Sequence, residues 1–211
     1  HIYNRGVARL PTFSSTGDYR QAILSLSYYQ YSKTPIKLSR YKSLPPDEKS
    51  KLLELLSHED SKLVQIISFV LMPNHFHLLL KQIQNQGISK FVSQFTNSYT
   101  RYFNIKHSRP GSLFQGPFKA VCVESEEQLI HLSRYIHLNP YVSSVIKKSE
   151  LLTYPWSSFP DYLKESSTLI DPTPILSHFK SSSDYQTFVL NHSDYAKELG
   201  IVKHLTLDLD R

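Results

Sequence analysis

The chain has almost no cysteine: of 211 residues, only Cys122 carries a thiol. A single cysteine excludes an internal disulfide framework and any zinc site built on thiolates. Its neighbours Val121 and Val123 predict a plain core position for it. Long apolar runs are missing too. No stretch approaches the roughly 20 residues needed to cross a bilayer, and the N-terminus lacks the basic-then-apolar layout of a signal peptide. A cytoplasmic, nucleoid-associated protein with no membrane partner is the expectation. The chain opens at His1 inside a strand-like run, which implies native residues ahead of it. No internal repeat is visible, and low complexity is confined to short serine runs such as Ser181 to Ser183.

Negative charge is the most telling absence. No Asp or Glu occurs between Ser61 and Val123, a window holding Lys62, Lys81, Lys90, Arg101, Lys106, Arg109 and Lys119. The chain's 18 acids, spread evenly, would place about five there. From Leu151 onward the balance reverses, with eight acids against five bases. A basic central region beneath a net charge of +6 favours a polyanionic partner. Nucleic acid leads over an anionic membrane, because no basic amphipathic anchor is present.

With 40% hydrophobic and 20% charged residues, the chain has the composition of a globular protein with one sizeable core. His1 to Val7 alternates as a strand, and Asp18 to Gln30 has helical spacing after a turn. Pro45-Pro46-Asp47-Glu48 opens a helix through Leu56. Lys62 to Met72 is rich in strand formers, and Pro73-Asn74 turns into a second strand, His75 to Lys81. A long helix follows from Lys90 to about Lys106, with Phe91, Phe95 and Tyr99 on one stripe. Ser112 to Val123 reads as extended, and a helix from Glu124 runs until Asn139-Pro140 stops it. This order predicts an α+β fold: an antiparallel sheet of ferredoxin-like or RRM-like type, covered by helices on one face. The expected domains are 1–150 and a C-terminal extension, 151–211, with short helices at Pro174 to Phe179 and Ser183 to Leu190.

Within that frame, Met72-Pro73-Asn74-His75-Phe76-His77-Leu78-Leu79-Leu80 stands out. Residues i and i+2 of a strand share a face, so His75 and His77 project side by side from a central strand. They are half of a metal site or a pair of hydrogen-bonding core histidines. On the later helix, Tyr135 and Asn139 are one turn apart on one face, with His131 a turn earlier. A phenol and an amide oxygen so placed can supply a nucleophile and a third metal ligand. The plain alternative makes Tyr135, one of 14 tyrosines, a half-buried aromatic and Asn139 a helix end. His137 falls on a different face and stays outside the site. Trp156 with Pro155 is expected to anchor the C-terminal tail.

These residues carry a family resemblance. The Met72–Leu80 string resembles the histidine-hydrophobe-histidine (HUH) signature of single-tyrosine transposases. Arg134-Tyr135-Ile136-His137-Leu138-Asn139-Pro140 is similar to the tyrosine helix of their REP-associated branch, in which a YI-x-x-NP string contains the nucleophile. Classical insertion-sequence members place Gln where this chain has Asn139. Further similarities are His1-Ile2-Tyr3-Asn4-Arg5-Gly6, Thr100-Arg101-Tyr102-Phe103-Asn104, Gly111 to Lys119, and Tyr154-Pro155-Trp156-Ser157-Ser158.

The resemblance implies an enzyme that nicks and rejoins single-stranded or hairpin DNA through a 5′-phosphotyrosine on Tyr135, as a monomer or homodimer. It implies a divalent ion, Mg²⁺ or Mn²⁺, on His75, His77 and Asn139. All three ligands are neutral, so the ion would bind weakly until a DNA phosphate completes its shell. Arg5, Arg101, Arg109 and Lys119 are the candidate DNA contacts, and Phe114, Phe118, Tyr102 and Phe103 have the composition of a surface for stacking bases. Arg5 and Lys119 lead because each lies in a segment matching the family. Two other readings stay open: a catalytically inactive or domesticated nucleic-acid-binding module of the same fold, and a metallohydrolase using a metal-bound water.

Overall fold

A computed structural model describes residues 1–58, 61–164 and 167–199. Strand β1 (Ile2–Arg5) leads through α1 (Thr16–Tyr29) and two smaller helices, α2 (Leu38–Lys42) and α3 (Pro46–His58), into the hairpin β2 (Val64–Met72) and β3 (His75–Gln82). Helix α4 (Gly87–Lys106), the two-residue strand β4 (Lys119–Ala120) and α5 (Glu126–Val142) complete the sheet region. The strand order is β2-β3-β1-β4, with every neighbouring pair antiparallel. Helices connect β1 to β2 and β3 to β4, while β2 and β3 join directly, which is the split β-α-β order.

The helices cover both faces of this sheet, not one as expected. On β3, Phe76 points to one face, where its ring meets Phe95 of α4 edge-on at 5.3 Å. His77 points to the other, where its ring meets Tyr135 of α5 at 5.5 Å. The reason is written in β2. An antiparallel sheet with one wet face alternates apolar and polar residues, whereas β2 is buried at every position except Gln65. Only a sheet sandwiched between two layers can bury consecutive residues such as Phe69, Val70, Leu71 and Met72.

Helix starts follow local chemistry. Ser15 caps α1 by accepting from the Asp18 backbone, and Ser125 caps α5 by accepting from Gln128. The Gln128 side chain accepts in turn from the Glu124 backbone, and Glu126 and Glu127 sit at the positive end of the dipole. The end of α5 departs from expectation: Pro140 lies inside the helix, which continues to Val142. Proline removes only its own N–H, and Ser143 still donates to Asn139 while Val145 donates to Pro140. Asn139 is therefore held in regular helix and is not at a fraying end.

Other expectations need amendment. The extended reading of Ser112 to Val123 survives only as β4 and a bridge between Gly6 and Phe114. Cys122 is exposed, and so is Val121, because no layer covers the chain as it leaves β4. The C-terminal helices are α6 (Thr173–Leu176) and α7 (Ser182–Leu190). The part of the expected extension beyond residue 199 lies outside the described residues.

Trp156, Ser158 and Asp171 close the outer edge of β2, which would otherwise present unpaired backbone groups. Leu71 donates to Trp156, Ser158 donates to Phe69, and Asp171 donates to Ile66. Trp156 stacks on Tyr19 of α1 at 4.7 Å, which anchors this segment to the sheet region.

Candidate functional site

The β1–β3 register sets the site. Tyr3 lies opposite His77 and Arg5 opposite His75; on the far side of β1, Lys119 lies opposite Tyr3. Cross-strand partners share a face, so His75, Arg5, His77, Tyr3 and Lys119 all project toward α5. His1, two residues before Tyr3, joins the same row: its ring stacks against His77 at 5.1 Å, and its Nε2 lies 2.9 Å from His77 Nδ1.

Helix α5 brings the remaining groups. The Tyr135 ring stands nearly perpendicular to His77, at 86°, and edge-on to His1 at 6.4 Å. Asn139, one turn further on, lies close enough to both His75 and Tyr135 to shift the titration of each. Ser143 donates to Asn139 Oδ1 at 3.4 Å. Tyr135 is 48% exposed, whereas His77 and Asn139 are buried, so the phenol is open to solvent beside a buried imidazole and a buried amide.

Electrostatics keep the paired imidazoles uncharged. Burial and the nearby Arg5 guanidinium lower the His75 pKa to about 4, against a raising contribution from Asn139. Burial, His75 and Arg5 lower that of His77 to about 3. Both rings are neutral donors near pH 7. Burial raises the Tyr135 pKa, while the Asn139 amide and the Arg5 charge pull it back.

The donor chemistry fits a divalent cation. The His75 and His77 rings are 5.1 Å apart and mutually perpendicular. Each uses Nδ1 on a neighbouring side chain, Asn74 for His75 and His1 for His77, which leaves Nε2 available, as in supported metal sites. Among the described residues, no three His, Cys, Asp or Glu side chains gather for a metal. A cation here would need the Asn139 oxygen and atoms from a substrate beside the two imidazoles.

Not every expected residue comes to this place. Arg101 is exposed on α4, the helix on the opposite face of the sheet. Arg109 spends its guanidinium on Asn104 Oδ1 and the Ser112 carbonyl, bracing the loop after α4. His131 faces away, bonded to Arg134 and packed near Phe188 of α7. His137 is fully buried between Ser158 and Tyr185, away from the row of imidazoles. Of the aromatics, Phe103 and Phe114 are core, and Tyr102 donates to Asp18. Sequence reasoning missed His1 and Tyr3. The signal was present: His1, Tyr3 and Arg5 repeat with the same period of two that singled out His75 and His77.

The sequence model of the family described as "Transposase IS200 like" matches residues 29–139, more than half of the chain. The chain belongs to the IS200-like transposase family. The match includes His75, His77, Tyr135 and Asn139 but not Arg5 or His1. No curated protein matches this family member. Among solved structures it is similar to one described as "Structure of the REP associates tyrosine transposase bound to a REP hairpin". That likeness has a TM-score of 0.51 at 14% identity and covers 81% of this chain and 85% of the other. At such low identity it concerns the fold. No helix among the described residues of this IS200-like transposase is long and apolar enough to cross a membrane.

Proposed function

We propose that this chain cuts and rejoins single-stranded DNA, presented as a hairpin, through a covalent bond between Tyr135 and the DNA 5′-phosphate. The observation that carries this reading is the half-exposed Tyr135 phenol held against His77 and Asn139, with Arg5 and Lys119 on the same face.

In the reaction, the Tyr135 oxygen attacks phosphorus in line with the departing 3′-oxygen. One oxygen–phosphorus bond forms and one breaks, the phenolic proton passes to water, and the released 3′-oxygen takes up a proton. A phosphotyrosine diester replaces a DNA diester, so attack by a 3′-hydroxyl can reverse the step without ATP. Arg5 and Lys119 hold the phosphate backbone, and Arg5 also favours the phenolate that attack requires. Asn139 fixes the phenol relative to His75. A divalent cation held by His75, His77 and Asn139 would supply Lewis-acid polarisation of the scissile phosphate. Imidazole donors favour Mn²⁺, with Mg²⁺ as the cellular alternative.

The neighbour with a REP hairpin supports hairpin DNA as the first substrate to try. Labelled single-stranded hairpins should give a covalent protein–DNA band with Mn²⁺, lost in Tyr135→Phe while hairpin binding persists. A band that survives Tyr135→Phe rejects Tyr135 as nucleophile. Hairpins bound tightly but never cut, with either metal, would favour the binding-module reading.

A further inference from the structure

We propose that Asn74 is a positioning residue that fixes the tautomer and direction of His75, and that a strained loop after β1 holds Asn74 in that role. The argument starts at Gly6, where a side chain would meet the Leu10 carbonyl at 2.3 Å. Its absence lets the chain fold back tightly on itself. Ala8 and Arg9 then both adopt left-handed backbone conformations, with φ of 51° and 59°. Two consecutive non-glycine residues there are strained, and such strain persists only where surrounding contacts impose it. Those contacts are present: Gly6 donates to the Asn74 carbonyl at 2.7 Å, Val7 to the Leu113 carbonyl, and Arg9 to the Gly6 carbonyl.

The strained turn aims the Arg9 carbonyl at the Asn74 side chain, whose Nδ2 donates to it at 3.1 Å. A carbonyl oxygen can only accept, so the amide nitrogen must face Arg9 and Oδ1 must face His75. Oδ1 lies 2.7 Å from His75 Nδ1. Since an amide oxygen also only accepts, His75 must carry its proton on Nδ1. Nε2 is then an open lone pair, the nitrogen left for Asn139 or a metal. No comparable constraint fixes His77, because its partner His1 is another imidazole that can donate or accept. Asn74 therefore fixes the tautomer of His75, the one ring of the pair whose partners leave no alternative.

Only the metal half of the test rests on the function proposed above. Nitrogen-15 NMR of the full chain, without metal, reads the His75 tautomer directly. It should show Nδ1–H in the native chain and a shift toward Nε2–H, the form imidazole favours in water, in Asn74→Ala. Asn74→Asp keeps the acceptor while losing the donor to Arg9, so it should retain Nδ1–H. Titration with Mn²⁺ alone should show affinity about 10- to 100-fold weaker in Asn74→Ala and restored in Asn74→Asp. An unchanged tautomer in Asn74→Ala overturns the proposal, as does an Nε2–H signal in Asn74→Asp, which also covers the case in which the alanine variant fails to fold. A shifted tautomer with unaltered Mn²⁺ affinity upholds Asn74 as the positioning group and overturns His75 as a metal ligand.

Discussion

Arg5 stands opposite His75 in the β1–β3 register, so the only cation of β1 shares its face with the paired imidazoles. Lys119 occupies the equivalent face across β1, opposite Tyr3. Both are exposed, and neither is paired with an acid among the described residues. Arg5→Ala and Lys119→Ala should each weaken hairpin binding and lower the slope of log affinity against log salt by about 1. Arg101→Ala, on the far face, should leave that slope within error. Filter-binding titrations at several salt concentrations test this, and equal slopes for all variants would remove the DNA path from this face.

Much of the site was legible because its pairs are local. A period of two joins His75 to His77, and a period of four joins Tyr135 to Asn139, so each half can be read without knowing the fold. What joins the halves is not local. His1 meets His77 only through strand register, and α5 reaches the sheet on the face away from α4. The unbroken apolar run of β2 carried that two-layered arrangement in the sequence, but the order of strands and helices alone suggested one covered face. The basic window misled in part. Charge counts cannot show that Lys106 is spent on Asp18, or Arg109 on its own loop.

The buried His137 ties the nucleophile helix to the C-terminal segment. Its Nε2 lies 2.8 Å from Ser158 Oγ and its Nδ1 lies 2.7 Å from the Tyr185 hydroxyl. Burial lowers its pKa from 6.5 to about 3. In the unfolded chain the ring titrates near 6.5, so the unfolded state binds the extra proton first. The contribution to stability is whole above pH 6.5 and is lost progressively as pH falls toward 3. His137→Phe removes the titrating group while keeping a ring against Phe159. Urea melts from pH 7 to pH 4 should show a shallower loss of stability in His137→Phe than in the native chain. His137→Ala should cost about 2–4 kcal/mol at pH 7, through the cavity and the stranded hydroxyls.

Asp18 acts at lower pH. Its carboxylate is fully buried and gathers Lys106 at 2.7 Å, the Ser14 backbone N–H at 3.1 Å and the Tyr102 hydroxyl at 3.3 Å. Burial alone would raise its pKa, but the hydrogen bonds from Lys106 and its other donors outweigh that and hold it below 3.8. A depressed carboxyl stabilises the fold above its unfolded value and loses that contribution as pH falls below about 4. Asp18→Asn should leave stability flatter between pH 4 and pH 2.5 than in the native chain. At pH 7, Asp18→Ala should cost on the order of 2 kcal/mol, since the Ser14 backbone N–H, the Tyr102 hydroxyl and Lys106 lose the acceptor that joins the start of α1 to α4.

Gly87 marks where α4 passes over the start of β2. A Cβ at this position would lie 2.1 Å from the Leu63 carbonyl oxygen and 3.0 Å from its carbon. Both obstacles are backbone, and that carbonyl also accepts from Ile83 and Gln84, so it cannot swing aside without breaking the connection between β3 and α4. Helix propensity pulls the other way, since alanine is favoured over glycine inside a helix by about 1 kcal/mol. Here the clash should win: Gly87→Ala is expected to destabilise by about 1–3 kcal/mol, read as a lower urea midpoint with an unchanged slope. The site should feel it weakly, because α4 lies across the sheet from Tyr135. Hairpin affinity measured well below the unfolding transition should stay within about twofold of native, and a gain in stability would show that α4 can slide over β2.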